Sequence, residues 1–184
     1  MSIVTESTTK RLIAELYTVE GKAEVVHGGI IRMSPTGARP SRAGGAVYAS
    51  LRAGEKRIGG WAYSDNVAYV IDLPNRKSFS PDASFVVGRE PDMKFIQGAP
   101  DFAAEVRSEG DYGSEAKREL AAKRSDYFAA GTKVVWDVDL LSEDVVRKYH
   151  ADSAGTPTVF RRGEHAEAEP AVPGWRFPVD ELFD

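Results

Sequence analysis

The stretch FAAEVRSEGDYGSEAKRELAAKRSDYFAAGTKVVWDVD, residues 102–139, decides the fold. Its first six residues alternate by two: Phe102, Ala104 and Val106 share one side of a strand, and Ala103, Glu105 and Arg107 share the other. Its end, Lys133–Asp139, is β-branched and aromatic, as a second strand would be. Between them Ser114–Ala130 reads as a helix, with Ser114 as N-cap and Gly131 in the place of a C′ glycine. Strand, helix and strand at this spacing form a crossover unit, so the two strands are expected to run parallel.

Further from that unit the signals are shorter. Towards the N-terminus, Thr9–Tyr17 reads as a helix carrying Leu12, Ile13, Leu16 and Tyr17 on one side. Ala23–His27 and Ile30–Met33 flank Gly28-Gly29, which predicts a β-hairpin that Pro35 ends. Residues 43–57 read as a second helix, stopped by Gly59-Gly60, while Gly44-Gly45 reads as a turn or helix break. Trp61–Ser64, Ala68–Leu73 and Ala83–Val87 read as strands. Beyond the deciding stretch come strands at Val145–Tyr149 and Thr158–Arg161 and a helical turn in the tail PGWRFPVDELFD. The class is α/β bordering on α+β: a mixed β-sheet flanked by helices, with an N-terminal hairpin, in one domain over residues 1–184.

Composition narrows the chemistry. The chain has 184 residues, 42% of them hydrophobic, which is enough for one core. It has no cysteine, which excludes disulfides, thiol nucleophiles, zinc fingers and iron–sulfur clusters. No run of about 18 apolar residues suggests a membrane span, and no secretory signal opens the chain, so a cytoplasmic setting is expected. The net charge is −4, but it is unevenly spread. Residues 1–60 hold nine basic residues against five acids, and residues 61–184 hold fifteen against twenty-three. Between Arg32 and Arg57 six basic residues, Arg39 and Arg42 among them, stand against one acid. Such a segment can bind a polyanion locally or simply be a solvated helix face.

No P-loop, GxGxxG, GxSxG or HExxH pattern occurs, and His27, His150 and His165 are scattered. The carboxylates say more. Glu105 lies inside an otherwise apolar strand, where it needs a cation or strong donors. Arg107 is one candidate partner. Asp82, after Pro81, stands at the mouth of another strand and can approach Glu105 closely enough to share a divalent ion. Lys123 lies in the helix stripe between Leu120 and Tyr127, aimed at the sheet. Two carboxylates with a lysine form a hard-metal arrangement suited to Mg²⁺ or Mn²⁺ and to phosphodiester hydrolysis.

Pro81-Asp82 followed by Glu105-Val106-Arg107-Ser108 resembles the PD…(D/E)xK signature of restriction-endonuclease-like nucleases. The wider text resembles the Uma-two family of that superfamily. The matches are AEVVHGGIIRMSP (23–35), PDASFV (81–86), FAAEVRS (102–108), Lys123 with Tyr127 and Gly131, VVWDVD (134–139), VVRKYH (145–150) and PGWRFPVDELF (173–183). The resemblance implies a restriction-endonuclease-like core holding Mg²⁺ through Asp82 and Glu105. It implies Lys123 in place of the lysine usually found two residues after the acid, and Glu24 as a further acidic site residue. It also implies DNA as substrate; Arg107 is a candidate phosphate contact, the basic segment offers Arg39 and Arg42 as further candidate contacts, and two-fold symmetry suits a homodimer that cuts both strands. Two positions depart from the family: 107 is Arg where an apolar residue is usual, and 36–58 lacks the His many relatives carry. Two alternatives stay open. One is an inactive nucleic-acid-binding or interaction module on the same fold, and the other is a hydrolase of small phosphate esters.

Overall fold

A computed structural model describes the backbone from residue 3 to residue 184 and the side chains from Ser7 onward. Along the chain run α1 (Ile3–Leu16), β1 (Ala23–Val26), β2 (Gly29–Arg32), α2 (Ala38–Ile58), β3 (Gly60–Ser64), β4 (Tyr69–Val70), β5 (Ser78–Phe79) and β6 (Ala83–Val87). Then follow β7 (Ile96–Gln97), β8 (Phe102–Val106), α3 (Ser114–Ala129), β9 (Val134–Val138), β10 (Val146–His150), β11 (Thr158–Phe160), β12 (His165–Glu167) and β13 (Arg176–Pro178). The main sheet has the order β11-β10-β9-β8-β6-β3. Its β8–β9 pair is parallel, as the crossover requires, and its other pairs are antiparallel. Mixed sheets with three helices make this an α+β fold.

The two faces of the main sheet bury different partners. Ala83, Phe85, Phe102, Ala104, Val134 and Trp136 point to one side, where Ala43, Val47 and Leu51 of α2 cover them together with Trp175 and Phe177 from the C-terminal segment. Val86, Ala103 and Val135 point to the other, where Tyr127 of α3 joins Tyr69 and Phe79. Alternation by two therefore sends Asp82, Glu105 and Asp137 to the α3 side.

Several boundaries differ from the sequence expectation. The hairpin turn is His27-Gly28, with φ of 50° and 76°, one residue earlier than Gly28-Gly29. Both central residues of such a two-residue turn need positive φ, and the strand register sets which two they are. Helix α2 begins at Ala38 rather than 43 and runs through Gly44-Gly45. Pro40 in its first turn costs no hydrogen bond there, and Gly44 is buried beside Asp82, where a Cβ would sit 3.4 Å from the Asp82 Cβ, an ordinary contact. Gly59 caps α2 at φ 83°, donating to the Glu55 carbonyl. Helix α3 is preceded by Gly113, not capped by Ser114. A side-chain capping box forms one turn earlier, between Ser108 and Asp111, on a short 3₁₀ turn. The expected strand 68–73 contributes only Tyr69–Val70, in a small separate sheet with β5 and β7. Helix α1 starts at Ile3, before the expected Thr9, and the β12–β13 hairpin was not expected from the sequence.

Candidate active site

The register between β6 and β8 brings the two principal acids together. Ala83 pairs with Ala104 at the end of this antiparallel ladder, and Asp82, the residue just before β6, comes close enough to Glu105 for the two charges to act on each other. The ladder continues there, since the Asp82 N–H donates to the Ala104 carbonyl at 3.1 Å and the Val106 N–H donates to Asp82 Oδ2 at 2.7 Å. Both side chains leave the sheet on the α3 side. Asp82, immediately before β6, and Glu105 of β8 thus lie near each other on the α3 side.

Lys123 projects from α3 onto this pair. Its Nζ lies 2.9 Å from both Glu105 oxygens and 2.9 Å from Glu24 Oε1. The Tyr127 hydroxyl, one helical turn on, donates to Glu105 Oε1 at 2.6 Å. Positions 123 and 127 are i and i+4, so both reach the same carboxylate from one helix face. Tyr127 is held by its ring, stacked 4.0 Å from Phe79.

Glu24 arrives from β1 and is 2% exposed. The Ser80 N–H donates to its Oε1 at 2.9 Å, and Arg76 pairs with Oε2. Arg76 also bonds Asp126 on α3 at 2.8 Å, tying the hairpin to that helix. On the other flank Lys22 bridges Asp82 at 2.6 Å and Asp65 at 2.7 Å. Three acids, Glu24, Asp82 and Glu105, therefore face three cations, Lys22, Arg76 and Lys123.

The titration of these groups follows from that balance. Burial is the largest influence on Glu105 and raises its proton affinity; Lys123 opposes it, Asp82 adds to it, and the pKa ends above the ordinary value. Burial also acts against the charge of Glu24, but Lys123 and Arg76 outweigh it and hold that carboxyl below its usual range. Burial would lower both lysines, yet Glu105 and Glu24 around Lys123, and Asp82 and Glu105 around Lys22, raise them above normal. Burial, then Glu105 and Glu24, push the Tyr127 phenol well up, so it stays a donor.

The remaining sequence candidates lie elsewhere. Arg107 does not pair with Glu105. Its guanidinium forks onto Asp137 with two bonds of 2.7 Å and reaches Asp139 at 3.4 Å. Arg107 is thus held in a buried ion pair. Arg39 is exposed on the first turn of α2, and Arg42 donates to the Asp184 carbonyl at 2.9 Å. Helix α2 covers the opposite face of the sheet and approaches the site only where Gly44 meets Asp82. Sequence reasoning missed Lys22 and Arg76 as site residues. Lys22 had a weak signal, standing two residues before Glu24 at the start of the hairpin. Arg76 had none.

Asp82 and Glu105 are hard oxygen donors of the kind Mg²⁺ takes, and Mg²⁺ commonly uses one or two carboxylates and keeps its waters. The donor chemistry fits such an ion. Among the described residues no group of three or more acidic or histidine side chains is gathered as a ready cage. Beside Glu105 a shallow cleft with about 10 Å³ of water-accessible space opens between α3 and the sheet, lined by Leu120, Lys123, Arg124, Tyr127 and Asp137. No helix of the described residues is long and apolar enough to cross a membrane.

Comparison with known proteins places this geometry. A crystal structure described as a putative nuclease belonging to DUF820, from Anabaena variabilis ATCC 29413, superposes with a TM-score of 0.71. The match covers 94% of this chain and 97% of that one at 17% identity, which establishes a shared fold. A search of curated proteins finds no match. The family model Uma2, described as "Putative restriction endonuclease", matches residues 13–180, and the chain belongs to that family.

Proposed function

We propose that the protein is a divalent-metal-dependent endonuclease hydrolysing phosphodiester bonds of DNA, with Mg²⁺ as its ion and Mn²⁺ as a working substitute. One observation carries this reading: Asp82, just before β6, and Glu105 of β8 come together at one site, with the Lys123 ammonium on Glu105. Asp82 and Glu105 would hold the ion, which when bound lowers the pKa of a water and clamps a phosphate oxygen. Lys123, held above its ordinary pKa, stays protonated and offsets charge developing on the phosphoryl group. Glu24 is a positioning residue that aims Lys123, and the Tyr127 hydroxyl fixes the Glu105 carboxylate. Arg39 and Arg42 supply backbone contacts to the duplex from the edge of α2 nearest Asp82. A homodimer would present two such sites to the two strands.

One observation favours the alternative of an inactive binding module: Lys22 already neutralises Asp82 at 2.6 Å. Supercoiled plasmid with Mn²⁺ or Mg²⁺ separates the readings. Cleavage by the wild type, lost in Asp82→Ala and Glu105→Ala, supports the endonuclease. Metal-induced stabilisation without cleavage supports the module. Hydrolysis of mononucleotides with plasmid left intact supports a small-ester hydrolase.

A further inference from the structure

The cleft beside Glu105 holds an arginine with nothing to bind. Arg124 follows Lys123 on α3 and lines the same cleft. Its guanidinium lies flat on the Tyr149 ring, 3.6 Å from the centroid. Tyr149 sits on β10 across from Val135, so it faces α3 beside the cleft. That stack fixes the guanidinium plane and uses none of its five N–H donors.

The other charges of the cleft are already matched. Glu105 is paired with Lys123, and Asp137 is paired with Arg107. Arg124 has no hydrogen bond or ion pair among the described residues. The remaining arginines without one, Arg32, Arg39, Arg118 and Arg176, are exposed, whereas Arg124 is half-buried. The cleft therefore carries one surplus positive charge, oriented and partly desolvated, next to the acids of the site. A planar, pre-oriented guanidinium matches the two free oxygens of a phosphodiester.

We propose that Arg124 is a phosphate-binding residue: it receives the backbone phosphate adjoining the one held near Asp82 and Glu105, and Tyr149 is the platform that orients it. This assignment rests on the nuclease reading. It gives the phosphate-holding role, which the sequence suggested for Arg107, to a residue whose donors are free.

The test is binding of a fluorescently labelled duplex of about 20 base pairs in Ca²⁺, measured across a salt series. Arg124→Gln should weaken binding several-fold and reduce the slope of log K against log salt by about 0.9, as expected when one fewer phosphate is neutralised. Arg124→Lys should keep the slope yet bind more weakly, since the ammonium keeps the charge and loses the fork. Arg176→Ala, exposed on β13 and outside the basic segment of α2, should match the wild type. If the wild type binds and Arg124→Gln has the same affinity and slope, the assignment is overturned while the nuclease reading stands. If the wild type neither binds nor cleaves DNA, both fall. Should Arg124→Gln fail to fold, Arg124→Lys decides alone: weaker binding supports the role, and wild-type affinity refutes it.

Discussion

Lys22 and Asp82 are joined at 2.6 Å, so the protein's own ammonium stands on one of the two carboxylates proposed to hold a metal ion. An internal cation and a divalent ion on one carboxylate repel each other. Replacing Lys22 by Met should therefore tighten Mn²⁺ binding, by about tenfold or ~1.4 kcal/mol. Calorimetric titration reads the affinity directly. The rise in Tm at fixed Mn²⁺ should grow in parallel, because an ion bound only by the folded state stabilises it. Weaker Mn²⁺ binding in Lys22→Met would show that Lys22 supports the ion rather than competing with it.

Glu24 and Glu105 should give opposite pH signatures. The folded pKa of Glu24 lies below the ordinary value of 4.5, so its charge stabilises the fold above that pH. That contribution is lost as pH falls from 4.5 through the depressed value. The folded pKa of Glu105 lies above 4.5, so its contribution is present below that pH and is lost as pH rises through the folded value. Urea unfolding across pH should show Glu24→Gln losing acid sensitivity and Glu105→Gln gaining stability at neutral pH relative to acid. Glu24→Gln should also cost about 3 kcal/mol at neutral pH, since it leaves Arg76 and Lys123 short of a buried partner.

Arg107 and Asp137 form a two-bond ion pair, 11% and 8% exposed at the side chain. Breaking one side strands a buried charge. Arg107→Leu or Asp137→Leu alone should cost about 3–5 kcal/mol, while the double change should come close to the wild type. Thermal unfolding of the four proteins closes the cycle. If Arg107→Leu alone is neutral, the pair has no structural role and Arg107 returns as a candidate substrate contact.

Arg39 and Arg42 test the other side of the site. The double change to Ala should lower the salt slope of duplex binding by up to about two, one for each phosphate that the arginines neutralise. Removing the Arg42 bond to Asp184 should cost little stability, because that bond is exposed. An unchanged slope would leave α2 as a solvated helix face.

The parallel β8–β9 pair and the aim of Lys123 were readable because alternation by two and helical spacing are local rules. So was the nearness of Asp82 and Glu105, since each sits on or just before a strand whose pattern fixes its side. Other features were not readable, for reasons that are not local. Gly44-Gly45 looks like a break by propensity, but tertiary context carries α2 through both residues. Lys22 and Arg76 enter the site only through tertiary pairing, across 60 residues to Asp82 and 52 to Glu24. Arg107 appeared to face Glu105 because both lie on one side of β8. Its actual partner, Asp137, comes from the neighbouring strand, which no pattern within 102–107 could disclose.

The bridge from Lys123 to Glu24 also constrains how the chain can fold. Glu105 and Lys123 are 18 residues apart, so a strand–helix fragment can pair them early at small entropic cost. Glu24 must wait for a segment about a hundred residues downstream, and it is 2% exposed once in place. A carboxylate cannot lose its water before its cations arrive. Docking of the N-terminal hairpin and docking of α3 are therefore a single event. In hydrogen-exchange terms, β1 and α3 should open together, as one cooperative unit.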